Sequence, residues 1–243
     1  MNFYKELSKV YDIVFPKNKN TVKFLSEDLR KNSKIIDLAC GTGIYSIALG
    51  ELGHEVTGID LDEKMIEKAK YKKGDLNIDF IRYDMTKIKD KFEESKYNRI
   101  FCIGNSLVHL NTKEEIKSLI NDMYGLLNSN GSIVIQTINY DRILKNNIKS
   151  LPTIDREAEG VKFIRKYNYS KMEELIYFET ELLISKEERE EKYTNSRALL
   201  PMKSNEIISM IKEAGFSEIN VYGSFLKEQF KNDSYALVIK AFK

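Results

Sequence analysis

The chain has 243 residues, 39 basic and 37 acidic side chains for a formal net charge of +2, and 42% apolar and 31% charged residues. That length suits one α/β domain with an insertion, and the balanced charge argues against nucleic acid as a partner, which needs a concentrated basic face. No stretch approaches the ~20 apolar residues that span a bilayer, and the N-terminus lacks the apolar core of a signal peptide, so a cytoplasmic, reducing location is the default expectation.

Phe3, Leu7 and Val10 have helical spacing in the first segment. Residues 35–39 (Ile-Ile-Asp-Leu-Ala) read as a short buried strand, followed by the turn Gly41-Thr42-Gly43. Ile44, Ile47, Ala48 and Leu52 then share one helical face, closed by Gly53. Residues 55–60 form a second strand, and Asp62 caps a helix carrying Met65, Ile66 and Ala69. Strands follow at 78–83 and 98–103. Thr112 and Glu115 have capping-box spacing ahead of a helix through Ile116, Leu119, Ile120 and Met123. Asn130-Gly131 is expected to end that helix and introduce a strand at 132–137. Near the end, Ser204 is expected to cap a helix closed by Gly215, and strands at 217–223 and 234–241 finish the chain. The alternation predicts a mostly parallel, seven-stranded sheet with helices on both faces.

One stretch breaks the rhythm. Strand-like runs at 161–169, 174–184 and 189–199 predict a small antiparallel insertion, although the third run is charged enough to be a solvated helix. The expected division is a core of residues 1–140 and 200–243 and an inserted cap of residues 141–199. Cys40 and Cys102 are the only cysteines and lie in apolar runs. They make no disulfide framework or metal-ligand spacing, and no metal is expected.

Ligands of open parallel sheets bind beyond the carboxyl ends of the strands, so the first loop is the place to look for chemistry. Gly41 and Gly43 permit a sharp turn and close approach of a ligand, and the following helix presents its amides to a negative group. Asp37, just ahead of the loop, can receive an ammonium or hold the loop amides. Asp60, at the end of the second strand, suits a pair of ribose hydroxyls. A dinucleotide fingerprint would carry glycine or alanine where Ser46 stands, which weighs against a NAD-dependent oxidoreductase.

Ile35-Ile-Asp-Leu-Ala-Cys-Gly-Thr-Gly43 resembles the first motif of class I S-adenosylmethionine-dependent methyltransferases, small-molecule type. Val56-Thr-Gly-Ile-Asp60 is similar to their acidic second motif, and Tyr83-Asp84-Met85 to the acidic position after their third strand. The resemblance implies a Rossmann-like three-layer sandwich and S-adenosyl-L-methionine as cofactor. It also implies roles. Ala39, Cys40, Gly41 and Gly43 would line the methionine part, and Asp37 would face its amino group. Asp60 would take the ribose hydroxyls with Leu61 beside the adenine. Asp84 would accept from the adenine amino group, Met85 would cover the ring, and Ile103 would border the site. Tyr4 and Tyr11 lie in a segment that resembles the lid helix of such enzymes, Tyr11 over the cofactor and Tyr4 toward the acceptor.

The loop Ile103-Gly104-Asn105-Ser106-Leu107-Val108-His109 opens on the same sheet edge. It lacks the Asn/Asp-Pro-Pro-aromatic motif of DNA-modifying members, which disfavours nucleobase methylation. His109 is the candidate base and Asn105 a second catalytic candidate; structural hydrogen bonding competes with function for His109. His54 reads as structural surface. Arg165 and Arg197 can hold an acidic acceptor, with salt bridges to neighbouring glutamates as the competing account. The expected activity is methyl transfer to nitrogen or oxygen of a small molecule by a monomer or homodimer; a cofactor-binding protein without turnover is the alternative.

Overall fold

The computed structural model describes residues 3–186 and 189–243. Helix α1 (Phe3–Val14) buries Phe3, Leu7 and Val14 along one stripe, as the helical spacing requires. Helix α2 (Lys19–Ser26) starts at Asn18, whose side chain accepts from the N–H groups of Asn20 and Thr21. The βα units follow: β1 (Lys34–Leu38), α3 (Ile44–Glu51), β2 (Glu55–Asp60), α4 (Glu63–Lys72), β3 (Ile78–Arg82), α5 (Ile88–Lys91), β4 (Tyr97–Cys102) and α6 (Lys113–Leu126). Strand β5 (Leu127–Ile138) leads into the short α7 (Tyr140–Lys145). Four strands come next: β6 (Ser150–Arg156), β7 (Val161–Ser170), β8 (Leu175–Lys186) and β9 (Arg189–Leu199). Helix α8 (Ser204–Glu213) and the strands β10 (Glu218–Tyr222) and β11 (Ala236–Phe242) complete the order.

The main sheet has seven strands in the order β10-β11-β5-β4-β1-β2-β3. Strands β1 to β5 pair in parallel, and β11 runs antiparallel between β10 and β5. Successive strands go one way from β1 through β2 to β3, then the chain returns to place β4 on the other side of β1. The crevice of an open sheet lies at such a reversal, so the loops after β1 and β4 flank it. Alternating side chains fill both faces: Ile36, Leu38, Ile100 and Ile133 meet Ile120 of α6 and Ile211 of α8 on one, while Ile35, Phe101 and Val134 meet Phe24 and Leu49 on the other. Each fully buried aliphatic contributes about 1.5–3 kcal/mol.

The second sheet, β6-β7-β8-β9, is antiparallel throughout. The charged run at 189–199 is therefore a strand rather than a helix. Its charges are satisfied across the outer face, where Glu181 of β8 pairs with Lys166 of β7 and Lys192 of β9. The inner face divides into rows. Phe163, Leu182 and Tyr193 pack with Phe3 and Leu7 of α1, while Ile176 and Leu199 join the core beneath the main sheet. Between these apolar rows lie Arg165, Thr180 and Asn195 in register, then Tyr167, Phe178 and Arg197.

Three local expectations need correction. Asn130-Gly131 lies within β5, because Leu127 already pairs with Tyr97 and a register shift absorbs the turn-like pair. Ser204 is the first residue of α8 rather than its cap: its N–H donates to Asp141, and the Lys203 N–H to Glu206. His54 is buried, not on the surface, because the left-handed Gly53 turns the chain inward and the His54 N–H donates to Leu49. Burial and the nearby Arg99 push the His54 imidazole below its usual pKa. At Thr112 the cap forms as expected, but Glu115 reaches back to the Asn111 N–H.

Candidate active site

The first loop is built from left-handed residues: Ala39 at φ 57°, Gly41 at 55° and Gly43 at 73°. This conformation costs a residue with a Cβ about 1–2 kcal/mol, so Ala39 is held there by its surroundings. Cys40 donates its N–H to Ile59, and Gly41 donates to Asp60 Oδ2 at 2.8 Å. The other Asp60 oxygen accepts the Asp62 N–H at 2.9 Å. One carboxylate at the end of β2 thus shapes both its own loop and the glycine turn. The two glycines serve different ends. A Cβ on Gly41 would face the Tyr11 ring at 3.4 Å, at the site, whereas one on Gly43 would strike Phe80 Cζ at 2.4 Å. Gly43 is required by helix–strand packing.

Asp37 is buried and accepts the Ser46 hydroxyl at 2.6 Å. Burial raises its pKa to about 8, the Ser46 hydrogen bond opposes this, and Asp60 adds to it. Ser46, read from the sequence only as a missing glycine, is the partner of this carboxylate. Asp84 caps the turn after β3, accepting the Thr86 N–H and hydroxyl through one oxygen, Oδ1. Met85 beside it packs on the core, and Leu61, next to Asp60, is 66% exposed.

Tyr11 of α1 lies over the loop. Burial first, then Asp60, Asp12 and Asp37, raises its phenol above the ordinary range. Asp12 bonds both the Thr42 hydroxyl and Lys72 of α4, and Lys72 also donates to the Thr42 carbonyl. Sequence reasoning missed this clamp, which joins three segments distant along the chain.

After β4, Ile103 is buried, and Gly104 and Asn105 are both left-handed, at φ 76° and 69°. Asn105 accepts the Ile138 N–H and exchanges hydrogen bonds with the buried Tyr140 hydroxyl of α7. Its side chain is thus committed to fixing the loop. His109 is an exposed residue, yet the surrounding protein and then Arg197 lower its pKa. The Arg197 guanidinium lies 5.6 Å from the centre of the Tyr4 ring. Tyr4 and Arg197 therefore meet from α1 and β9, and the Arg197 charge acts on His109 of the β4 loop. Arg165 is on the same inner face, half-buried, with Nη2 donating to the Pro152 carbonyl at 2.6 Å. The salt-bridge account of the arginines does not hold: among the described residues neither makes an ion pair, and Glu181 is spent on outer-face lysines.

Residues 35–131 match a family model described as a methyltransferase domain. A glycine/sarcosine N-methyltransferase of Aphanothece halophytica is 26% identical over 214 residues, covering 87% of this chain and 76% of that protein. The human glycine N-methyltransferase is 30% identical over 125 residues, covering 46% and 42%. A solved S-adenosylmethionine-dependent methyltransferase of Clostridium acetobutylicum superposes with a TM-score of 0.80 at 15% identity, covering 99% of both chains.

Residues 35–131 are thus a methyltransferase domain, and the chain resembles the S-adenosylmethionine-dependent methyltransferases. Its cofactor is S-adenosylmethionine. The residues of this methyltransferase fit that group by two observations. Asp37 is a buried carboxyl with no cation beside it among the described residues, the setting an ammonium would complete. Leu61 presents exposed apolar surface immediately after Asp60, where a flat heterocycle would lie. Phe80, Ser46, Asp12 and Tyr140 support the loops after β1 and β4, and only their contacts in the fold reveal them.

Proposed function

We propose that this methyltransferase moves the methyl group to the nitrogen of a small-molecule amine bound between the β4 loop and the inner face of the four-stranded sheet. The carrying observation is the contact of Arg197 with Tyr4 beside the β4 loop, which Asn105 locks and which bears His109. Residues 141–199 form most of the acceptor pocket in this reading, with Arg165 and Arg197 its cations. The name of the Aphanothece relative, an N-methyltransferase of glycine and sarcosine, supports nitrogen over oxygen.

Bound S-adenosylmethionine supplies a methyl on a sulfonium, whose C–S electrons return to sulfur as the new N–C bond forms. Everything else falls to the protein. Asp37 and Asp60 hold the amino and ribose groups, Asp84 and Met85 the adenine, and Ala39, Cys40, Gly41 and Ile103 border the methionine chain. Tyr11 closes the top and keeps water from the reacting centre. The acceptor nitrogen must offer a lone pair, so its ammonium has to lose a proton. His109 is the candidate to take it: burial first and then Arg197 hold its imidazole below the usual pKa, so it starts unprotonated at neutral pH. Asn105 acts as a positioning residue that fixes the loop bearing His109.

Labelled cofactor should be incubated with paired small amines and alcohols, and the products resolved by mass spectrometry. Label on amine nitrogen is expected. Label confined to oxygen would overturn the reading. His109→Ala should lower kcat/KM about 100-fold, within the usual range for a general base, with cofactor affinity unchanged.

A further inference from the structure

Tyr140 lies in the core beneath the main sheet, 1% exposed, yet carries a hydroxyl where a phenylalanine ring would fill the same space. Burying that group is tolerated only when it is bonded, so its partners say what it does. Asn105 Nδ2 donates to it at 3.0 Å. Asn105 Oδ1 is taken by the Ile138 N–H at 3.0 Å and lies farther from the phenol oxygen, at 3.3 Å. The phenol proton goes on to the hydroxyl of Tyr167, which is itself buried. A directed chain of hydrogen bonds thus runs from the β4 loop through α7 to β7 of the second sheet.

Tyr167 continues into a row. It stands opposite Phe178, with ring centres 5.4 Å apart, and Phe178 stands opposite Arg197 of β9. Cross-strand partners share a face, so the row crosses the inner side of the sheet. Arg197 at its far end is the residue whose charge acts on His109. The β4 loop therefore meets this row twice, at Asn105 through hydrogen bonds and at His109 through charge. The loop's conformation also needs support, because Gly104 and Asn105 are both left-handed and Asn105 carries a Cβ. Backbone N–H groups of Gly104 and Asn105 tie its start to Gln136, and the Leu200 N–H, donating to the Val108 carbonyl, ties its end. Between these ties the Asn105 side chain is oriented by Tyr140.

We infer that Tyr140 is a positioning residue for methyl transfer: acting through Asn105, it fixes the β4 loop to one end of the Tyr167–Phe178–Arg197 row and so sets His109 against Arg197 at the other. The inference rests on reading the β4 loop as the place of methyl transfer, and it holds for a nitrogen or an oxygen acceptor alike. Tyr140 touches no reacting atom in this account. Its hydroxyl couples two parts of the chain, so a displacement of β7 is felt by the loop that bears the candidate base.

The test uses the full chain saturated with S-adenosylhomocysteine, whose two histidines are titrated by NMR. His54 precedes β2, at the opposite end of the parallel strands, and serves as the internal reference. In Tyr140→Phe the His109 midpoint should rise toward the usual imidazole value as the loop leaves Arg197, while His54 stays in place. Tyr167→Phe, which leaves Tyr140 in its packing, should move His109 the same way by less. Arg197→Met should raise the midpoint on its own, and Tyr140→Phe should add little in that background. An unmoved His109 in Tyr140→Phe, with only a lower urea midpoint, would make the hydroxyl structural and overturn the inference. Both histidines shifting together would overturn it too. Turnover is then read with whichever acceptor the labelling experiment yields, amine or alcohol. Tyr140→Phe should lower kcat about 10-fold with cofactor affinity unchanged, and the acidic limb of kcat/KM should move up in pH with His109. Wild-type kcat in Tyr140→Phe would overturn the inference. Label only on oxygen would overturn the amine reading and leave Tyr140 in its role, because the titration involves no acceptor.

Discussion

Asp60 holds two backbone amides that belong to different loops, through one oxygen each. Replacing it with alanine should loosen the Gly41 turn and, on the proposed reading of the site, remove the ribose contacts. Cofactor affinity is expected to fall by about 1.5–3 kcal/mol, read by titration calorimetry in a variant with a native circular dichroism spectrum. Asp37 makes a different prediction, about pH. Its carboxyl titrates near 8 in the folded chain because of burial, against about 3.9 when unfolded. Between those values the native state holds a proton that the unfolded state has lost. Stability of the ligand-free protein should therefore decline as pH rises from about 4 to about 8, then level off. Asp37→Asn should flatten that decline, measured by urea unfolding at pH 5 and pH 8. Pairing with the cofactor's ammonium would expel the proton, so binding near pH 7 should release protons in the wild type and none in Asp37→Asn.

Among elements, the contact between α3 and β3 is the least forgiving. A Cβ at Gly43 would overlap Phe80, and φ is 73° there. Gly43→Ala should cost about 2–4 kcal/mol from overpacking and left-handed strain, seen as a lower denaturant midpoint. Phe80→Leu in the same chain should recover part of it. This packing also shows what the sequence made legible. The βα alternation, the loop motifs and both cysteine burials followed from local pattern, because each depends on residues close together in the chain. Strand β6 was missed, since Pro152 and its charges hide the alternation in Ser150–Arg156. The run at 189–199 was ambiguous for a related reason: its lysines and glutamates make sense only beside Glu181 and Lys166 on neighbouring strands. Ser46 and Tyr140 depended on partners that no spacing rule reaches.

At the scale of the whole molecule, α1 connects the parts. It places Tyr11 on the glycine loop, anchors Asp12 to Thr42 and Lys72, and packs Phe3 on Phe163 of the second sheet. Arg156 of β6 donates to the Ile13 carbonyl at its end. A ligand held beneath this helix should stabilise the molecule broadly. At about 100-fold excess over Kd the gain is about 2.7 kcal/mol, or roughly 5–10 °C in Tm for a chain of this size. Differential scanning fluorimetry with S-adenosylmethionine should show that shift, and Asp60→Ala should abolish most of it at the same concentration.

The two cysteines turn this architecture into a clock. Cys40 lies inside the glycine loop with its thiol pushed well above the ordinary range by burial, and Cys102 sits deeper, pushed up to about 12. Only thiolate reacts with alkylating reagents, so both are inert while the fold is closed. Cys40 becomes reactive when the loop and Tyr11 part, whereas Cys102 waits for the sheet itself to open. The ratio of the two modification rates, read by peptide mass spectrometry, thus measures breathing of the active-site loop against unfolding of the whole, with no label introduced.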